Sequence, residues 1–323
     1  MRKRRLLADL FAGGGGFTRG FHEVGFESVL AVEVDDAAAR TYVANFPRAL
    51  TVVEDIRSLE CGSIRALIGR RRVEVVIGSP PCEPFTGSNP ERMEDPLDRL
   101  YRDEEGRLVL EFIRVLECLD PDYFVMENVP AILEGDLRGA LRDEFGRAGY
   151  SVHFNLLRAE DYETPSRRLR VFISNLRLEP PRAGRTRTVW ETLSDLPEPS
   201  HDPVIPNHEP PPNLSKSKLK RSSRLKWGGS MVMYEGAGGR ALPNLIRLHP
   251  HRVAPTVLGA SRFIHPYENR LLTVREQARL MGFADDHVFM GGREQQYNQV
   301  GEAVPPPLAR VIALEILKHI GEL

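Results

Sequence analysis

The sequence has little cysteine, almost no net charge and no long hydrophobic run, and each shortage excludes a class of protein. Cys61, Cys82 and Cys118 are the only cysteines among 323 residues, and such an odd, sparse set argues against a disulfide framework and is typical of a reducing compartment. The formal net charge of −1 gives no overall basic field, so any nucleic-acid site must be a local patch. No apolar run has the length of a transmembrane helix.

The composition is that of a soluble globular protein. Hydrophobic residues make up 41% and charged residues 28% of a chain that is long enough for a sizeable core and two lobes. The start, MRKRRLLADLF, imitates a secretory signal, but Asp9 interrupts the apolar stretch and no cleavage site follows. We therefore predict a first strand behind a basic tail. We expect a monomer with no membrane partner and no metal site.

The first half of the chain alternates short apolar runs with helical patterns such as Leu108–Leu119. Strands are predicted at Leu6–Leu10, Val29–Val34, Leu50–Val53, Val73–Ile77, Tyr123–Met126, Val152–Leu156 and Arg170–Ile173. This alternation predicts an α/β fold with a mostly parallel sheet that helices cover on both faces.

The second half is rich in proline and then in glycine. Nine prolines lie between residues 179 and 213, and glycines cluster at Gly228–Gly239. Because these residues disfavour long helices, we predict a second, smaller lobe of loops and short strands. Pro307–Ile320 is predicted to be a helix that packs back on the sheet. The expected divisions are 1–178, 179–296 and 297–323.

Cys82 differs from the other two cysteines in its surroundings. Residues 79–86 read SPPCEPFT and directly follow the apolar run Val73–Ile77. Strand ends are where open α/β sheets place their chemistry, and two prolines fix the backbone before the sulfur. We therefore interpret Cys82 as a nucleophile, and Cys61 and Cys118 as buried structural thiols.

A glycine-rich segment, DLFAGGGGF at residues 9–17, follows the first strand and opens a helix. Glycines there let a ligand approach the backbone, and the helix N-terminus offers free N–H groups. The dinucleotide fingerprint needs a third glycine three positions after the second, where this chain has Thr18 or Arg19. The segment therefore argues against a nicotinamide-dependent dehydrogenase.

Acidic residues follow the next two strands. Glu33 closes the second strand, where a carboxylate typically accepts hydrogen bonds from ribose hydroxyls. Asp55 follows the third strand and suits an adenine amino group, with Ile56 against the ring. Three strand ends in register indicate a nucleoside cofactor without a pyrophosphate, and S-adenosylmethionine fits. The alternative is a tight turn with two helix-capping carboxylates.

Six segments together resemble the cytosine carbon-5 DNA methyltransferases, nearly end to end. DLFAGGGGF is similar to the first motif of that family, and SPPCEPF to its Pro-Cys nucleophile loop. The other four, in the same order and spacing, are MENV (126–129), PSRRLRVF (165–172), RLLTVREQARLMGF (270–283) and YNQVGEAVPP (297–306). Each motif alone is weak evidence, but six in order are highly specific. The chain departs from the family pattern at Glu83, Thr86, Ser166 and Glu302.

The resemblance implies a Rossmann-like S-adenosylmethionine-dependent methyltransferase sheet with a smaller target-recognition domain. Residues 1–178 would be the catalytic domain, 179–296 the target-recognition domain with its hinge, and 297–323 a segment that returns to the catalytic domain. The implied cofactor is S-adenosylmethionine (product S-adenosylhomocysteine), the partner double-stranded DNA, and the location the cytoplasm, at the nucleoid. Implied cofactor-binding residues are Phe11, Gly13, Gly15, Phe17, Glu33, Val34, Asp55, Ile56, Gly78, Pro81, Leu108 and Glu302.

The resemblance also implies covalent chemistry on cytosine. A thiolate that adds to carbon 6 lets carbon 5 accept a methyl group, and Cys82 is the candidate thiol. Glu127 follows a strand, so we expect it on the same edge, protonated and donating to ring nitrogen 3. Arg168 and Arg170 alternate in an extended segment and are expected to face the cytosine carbonyl or a phosphate. The acceptor of the carbon-5 proton is not identified by the sequence, and water is one possibility.

The target atom lies inside a stacked duplex, so the base must be flipped out, and we expect DNA in the cleft between the lobes. Thr256, in the family-like segment RVAPTVL (252–258), is a candidate phosphate contact. A basic run beside Trp227 is a second candidate, with a solvated loop as the alternative interpretation. Its residues are Lys216, Lys218, Lys220, Arg221, Arg224 and Lys226.

Two other functions stay open on the sequence. A tRNA cytosine methyltransferase would share the same core, although a recognition lobe between the arginine motif and the final motifs favours DNA. A catalytically inactive DNA-binding relative is the other, although the intact Cys82, Glu127 and Arg168 argue against it. The sequence does not reveal the recognised DNA site or an accompanying restriction enzyme, because specificity depends on a few base-edge contacts.

Overall fold

A seven-stranded sheet forms the centre of the larger domain in the computed structural model, which describes residues 5–236, 239–260 and 263–321. Its strands are β1 (Arg5–Leu10), β2 (Phe26–Glu33), β3 (Leu50–Val53), β4 (Val75–Gly78), β5 (Tyr123–Asn128), β6 (His153–Arg158) and β7 (Leu169–Ser174). They lie in the order β3-β2-β1-β4-β5-β7-β6. All seven predicted strands are present, whereas the predicted basic tail falls mostly outside the described residues.

The sheet is parallel except at β7, which runs antiparallel to both β5 and β6. Helices cover both faces, so the central strands bury side chains on both sides and read as continuous apolar runs. Alternate residues of β4 show this, since Val76 joins one core cluster and Val75 and Ile77 join the other. The predicted α/β architecture is confirmed.

One face of the sheet is covered by the first and last helices, α1 (Gly16–Glu23) and α11 (Pro306–Ile320). They approach closely at Gly20, where an added Cβ would lie 2.4 Å from the carbonyl oxygen of Pro306. The other face packs against α3 (Cys61–Ile68), α5 (Leu108–Leu119) and α6 (Leu137–Arg147). The larger domain also contains α2 (Asp36–Asn45) and α4 (Pro96–Tyr101).

The smaller domain is built around a three-stranded sheet in the order β10-β9-β8. Its strands are β8 (Ser230–Gly236), β9 (Arg240–Arg247) and β10 (Phe263–Ile264). Short helices surround it, namely α7 (Val189–Leu193), α8 (Lys216–Ser222), α9 (Val274–Leu280) and α10 (Arg293–Glu302). The predicted boundary at residue 297 lies inside α10, and the domain limits stay a prediction. Within the described ranges, no helix is long and apolar enough to cross a membrane.

The interpretation of Cys61 and Cys118 as separate thiols was wrong. Cys61, at the start of α3, and Cys118, in the last turn of α5, form a disulfide with Cα atoms 5.3 Å apart. The two helices pack side by side, but 57 residues separate the cysteines, so the sequence carries no local sign of the pairing. The cysteine count therefore no longer supports a reducing compartment. Cys82 is the free cysteine.

We expect Cys118→Ser to lower the free energy of unfolding by about 2–4 kcal/mol, because the disulfide constrains a long loop of the unfolded chain. Urea unfolding followed by circular dichroism measures this. A reductant should lower the stability of the unsubstituted protein by a similar amount and leave Cys118→Ser unchanged. Cys82→Ser, the matched control, should keep the sensitivity to reductant. Identical midpoints for oxidised and reduced protein would contradict the cross-link.

Candidate active site

A cavity of about 800 Å³ opens at the carboxyl ends of the central strands. The strand order reverses between β1 and β4, and open α/β sheets bind their ligands at such a point. The volume lies in the range of small-molecule sites. The glycine-rich segment, the Pro-Cys loop, the arginine segment and α10 all contribute to the lining. The cavity therefore joins motifs that are far apart in the sequence.

Most of the predicted catalytic and cofactor residues line this cavity. They are Phe11, Gly13, Phe17, Glu33, Val34, Asp55, Ile56, Pro81, Cys82, Leu108, Glu127, Arg168, Arg170 and Glu302. Gly15 and Gly78 are not among the lining residues. A Cβ at Gly15 would meet the Phe46 ring at 2.4 Å, and one at Gly78 would meet the carbonyl oxygen of Leu10 at 2.5 Å. These two glycines therefore allow close packing behind the cavity wall.

Glu33 holds the glycine-rich segment in place. Its Oε2 accepts a hydrogen bond from the Gly13 N–H at 2.7 Å, and its Oε1 accepts one from the Asp35 N–H at 2.8 Å. Burial raises the pKa of Glu33 in spite of these bonds. Gly13 has a positive φ of 52° and no atom within 4 Å of an added Cβ. A ligand can therefore approach the backbone there closely, beside a carboxylate fixed by the same loop.

Asp9 lies beneath the glycine-rich segment and was not predicted as a site residue. Its carboxylate is buried, accepts a hydrogen bond from Thr18 Oγ1 at 2.7 Å and lines the cavity. Burial raises its pKa well above the ordinary value. The sequence did carry a signal for Asp9, because it is the one acidic residue in the apolar run Leu6–Leu10 and a buried acidic residue needs a partner or a function.

Asp55 has a structural partner as well as a place in the lining. Its Oδ2 lies 2.6 Å from Nη2 of Arg57, and its Oδ1 accepts a hydrogen bond from the Arg57 N–H at 2.9 Å. The bond to the Arg57 side chain lowers the pKa of Asp55. The alternative interpretation as a capping carboxylate therefore describes part of its environment, while Ile56 beside it is buried against the cavity.

The loop that carries Cys82 is fixed by the residue after Glu127. The Asn128 Nδ2 donates to the carbonyl oxygen of Pro80 at 3.0 Å, across from β5 to the loop after β4. The carbonyl oxygen of Cys82 accepts from the Thr86 N–H at 2.9 Å, which closes a tight turn. Asn128 belongs to the motif MENV, but the sequence did not predict that its side chain would hold the Cys82 loop.

The thiol of Cys82 has an unfavourable setting for ionisation. Burial, followed by the charges of Glu83 and Glu127, raises the pKa of Cys82 to about 12, whereas Arg170 and Arg168 act in the opposite direction. A thiol with this pKa is protonated at neutral pH in the free protein. The departure at Glu83 therefore has a physical effect, since it places a negative charge beside the nucleophile.

Glu127 and Arg170 form a buried ion pair beside Cys82. The Arg170 Nε lies 2.9 Å from Glu127 Oε1, with side-chain exposures of 12% and 7%. This contact is an ion pair rather than a hydrogen bond, and among the described residues the buried Oε1 has no hydrogen-bond partner. Arginine–carboxylate pairs gain strength and direction from hydrogen bonds. This pair therefore keeps bonding capacity that a ligand can use.

Arg168 is engaged with backbone carbonyls. Its Nη1 donates to the Gly301 carbonyl at 2.8 Å and to the Val257 carbonyl at 3.2 Å, and its Nη2 donates to that of Glu302 at 3.3 Å. Burial lowers the pKa of Arg168 to about 9. Arg168 lines the cavity but also joins the arginine segment to the 252–258 segment and to α10. Its expected contact with a base or phosphate stays a prediction.

Glu302 reaches solvent at the cavity, where other carboxylates surround it. Desolvation by the protein, followed by the charges of Glu83 and Glu33, raises the pKa of Glu302 to about 7. Tyr234 of β8 and Gln299 of α10 also line the cavity, although the sequence did not indicate either. Within the described chain, no group of three His, Cys, Asp or Glu residues is placed to hold a metal ion.

The predicted basic run is largely helical. Lys216, Lys218, Lys220 and Arg221 lie on α8, which Ser215 caps through the Lys218 N–H, and Arg224 and Lys226 follow it. All six side chains are exposed, and none forms an ion pair with a described residue. Neither they nor the half-buried Thr256 line the cavity. Their contact with nucleic acid stays a prediction.

Comparison with known proteins agrees with the motifs. The profile of the C-5 cytosine-specific DNA methylase family matches residues 6–318. A protein of Methanocaldococcus jannaschii, provisionally named type II methyltransferase M.MJ0563P, is 47% identical over 318 residues, covering 97% of this chain and 99% of that protein. Type II methyltransferase M1.HphI of Haemophilus parahaemolyticus is 36% identical over 330 residues, covering 96% of this chain and 86% of that protein.

The fold is also similar to a solved structure. The crystal structure of an E. coli prophage protein, described provisionally as a DNA modification methyltransferase, superposes with a TM-score of 0.77 at 26% identity. The match covers 98% of this chain and 100% of that chain. The resemblance that six motifs indicated is therefore confirmed over nearly the whole length.

We expect iodoacetamide to alkylate Cys82 slowly at pH 8 and faster as the pH rises towards 12, because only the thiolate reacts and the pKa of Cys82 is about 12. Glu83→Gln should accelerate the reaction about two- to fivefold at pH 8, since it removes a charge that raises this pKa. Mass spectrometry of the modified peptide gives the rates. Glu91→Gln, the matched control in the same loop, should react like the unsubstituted protein, and an unchanged rate for Glu83→Gln would contradict the assignment.

Proposed function

The chain belongs to the C-5 cytosine-specific DNA methylase family, and from this premise we propose that it transfers a methyl group from S-adenosylmethionine to carbon 5 of a cytosine in double-stranded DNA. One observation carries the proposal. Cys82, Glu127 and Arg170 line the same cavity as the glycine-rich segment with Glu33 and Asp55. The candidate nucleophile and the residues proposed to hold a nucleoside therefore share one cavity.

The cavity residues fit the proposed cofactor. The open space beside Gly13 suits a ligand that lies against the backbone, and Glu33 and Asp55 offer carboxylates at the ends of β2 and β3. Carboxylates in the lining outnumber the two arginines, which favours a cationic ligand. When bound, S-adenosylmethionine supplies an electrophilic methyl group on a sulfonium centre. Glu33, Asp55 and Ile56 are the residues that would hold its nucleoside part.

Cys82 is proposed to add to carbon 6 of a cytosine that has left the base stack. A bond would form between the sulfur and carbon 6, and the electron pair of the ring double bond would move to carbon 5. Carbon 5 would then take the methyl group from the sulfonium sulfur of S-adenosylmethionine, whose bond to that methyl group breaks to leave S-adenosylhomocysteine. A base next takes the carbon-5 proton. The electron pair of that C–H bond restores the ring double bond and expels the thiolate.

Glu127 and Arg170 are proposed to prepare both reactants. A protonated Glu127 donates to ring nitrogen 3 and makes carbon 6 more electrophilic. With Glu127 neutral, burial and the charge of Glu83 would still raise the pKa of Cys82, but one opposing charge fewer would stand against Arg170 and Arg168, which lower it. Binding of the base and activation of the thiol would thus be coupled through one carboxyl group.

The names of the relatives support methylation at a particular sequence, as the modification component of a type II restriction–modification system. The smaller domain is proposed to recognise that sequence, with the division 1–178, 179–296 and 297–323. The exposed basic residues of α8 would contact phosphates. We propose a monomer that acts in the cytoplasm, at the nucleoid.

We expect radiolabelled methyl transfer to duplex DNA and none to tRNA, with bisulfite sequencing placing 5-methylcytosine at one recurring sequence. A DNA fragment with 5-fluorocytosine in place of cytosine should form a denaturation-resistant adduct, since fluorine cannot leave as a proton does. Cys82→Ala should form no adduct and lower transfer by about three orders of magnitude or more. The unsubstituted fragment is the control for the adduct. Transfer to tRNA alone, or full activity of Cys82→Ala, would overturn the proposal.

We expect the affinity for S-adenosylmethionine to rise about threefold from pH 6 to pH 8, because Glu302, with a pKa of about 7, gains its negative charge over this interval and attracts the sulfonium. Glu302→Gln should lack this rise. S-adenosylhomocysteine, whose sulfur is neutral, is the matched control ligand and should show a smaller change in isothermal titration calorimetry. An equal pH dependence for both ligands would contradict this role of Glu302.

A further inference from the structure

A row of aromatic rings crosses the smaller domain outside the cavity. Its members, which we call the aromatic row, are Trp190, Tyr267, Trp227, His249 and His251. Successive ring centroids are 4.8, 5.9, 5.2 and 6.2 Å apart along this order. The rings come from four separate segments of the chain, so only the folded domain brings them together.

The row is exposed and at the same time ordered by contacts. Trp190, Trp227 and Tyr267 are 36%, 46% and 48% exposed, and Tyr101 is the other tyrosine, tryptophan or phenylalanine of this exposure among the described residues. The Trp227 Nε1 donates to the carbonyl oxygen of Pro266 at 2.9 Å, which fixes the indole. Clustered exposed apolar surface of this kind marks an interaction site.

Cations border the row. Lys226 precedes Trp227, and Arg167 and Arg252 line a small depression together with His249. These three cations are exposed, and none pairs with an acidic side chain in the described part of the chain. The basic residues of α8 precede Lys226 in the sequence. Rings flanked by unpaired cations suit a polyanion that also offers flat or apolar groups.

The row is connected to the candidate active site through the backbone. Arg167 directly precedes Arg168, whose side chain lines the cavity, and its N–H donates to the carbonyl oxygen of Ala254 at 2.9 Å. The arginine segment therefore has one residue at the cavity and its neighbour at the depression beside the row. A ligand that reaches from the row to this depression would lie next to the segment that carries Arg168 and Arg170.

We propose that the aromatic row is a docking surface for the DNA that flanks the target cytosine, an inference that rests on the proposed function. Lys226, Arg167 and Arg252 bind phosphates, and Trp227 and Tyr267 pack against sugars and base edges. Aromatic and arginine side chains dominate binding energy where they form the centre of an interface.

Tryptophan fluorescence tests the proposal directly, because Trp190 and Trp227 are the two tryptophans of the chain. A fluorescein-labelled, mixed-sequence DNA duplex should bind as judged by anisotropy. Binding of the duplex should change the tryptophan emission and protect the tryptophans from quenching by acrylamide. Both effects should reach half of their maximum at the DNA concentration that gives the midpoint of the anisotropy curve. Binding without any change in emission or protection would overturn the proposal, and this result needs no variant.

Variants give a second readout. Trp227→Ala with Tyr267→Ala should raise the Kd for the duplex about five- to tenfold, whereas Tyr101→Ala, the matched exposed aromatic on α4, should leave it unchanged. Circular dichroism shows whether each variant is folded. An unchanged Kd in a folded double variant would also overturn the proposal.

The two proposals can fail separately. Methyl transfer to DNA, together with tryptophan emission and acrylamide quenching that DNA does not change, would support the proposed function and reject the aromatic row as a DNA-binding surface. Tryptophan protection by DNA without methyl transfer would support the row and reject the proposed reaction. Protection by an acidic protein such as polyglutamate, but not by DNA, would reject DNA as the occupant.

Discussion

The hydrogen bonds of the buried Arg168 guanidinium are the interactions on which the rest of the site depends. The guanidinium holds three carbonyl groups, from the 252–258 segment and from the end of α10, against the strand that carries Arg170. A buried charge that loses its partners is strongly destabilising, so these segments are held together firmly. The part of the cavity wall that Arg168, Gly301 and Glu302 form depends on that arrangement, and Arg170, which pairs with Glu127, lies two residues away. The same guanidinium connects the larger domain to the smaller one.

The charge balance of the cavity sets the resting state of the protein. Burial raises the pKa of Asp9, Glu33 and Cys82, and the charges of Glu83 and Glu127 raise that of Cys82 further. A cationic ligand beside the carboxylates would change this balance. In the proposed reaction, ionisation of the Cys82 thiol would therefore depend on which ligands occupy the cavity.

Much of the fold was predictable because its signals are local. Apolar runs and turn residues determined every strand of the large sheet, and motif order placed Cys82, Glu127 and Arg170 at one edge. The disulfide of Cys61 with Cys118 was missed because it depends on how α3 and α5 pack, which periodicity does not report. The packing of Gly15 and Gly78 and the carbonyl contacts of Arg168 depend in the same way on distant segments, and so does the aromatic row.

The reversed direction of β7 has a topological consequence. Parallel strands deliver the residues that follow them to one edge of a sheet, so each functional loop there requires a crossover back to the opposite edge. A strand that runs the other way delivers its beginning to that edge, and Arg170 is the second residue of β7. Residues that follow parallel strands and residues at the start of the antiparallel strand β7 therefore lie at the same edge of the sheet. The number of side chains that meet there is not limited by the number of crossovers.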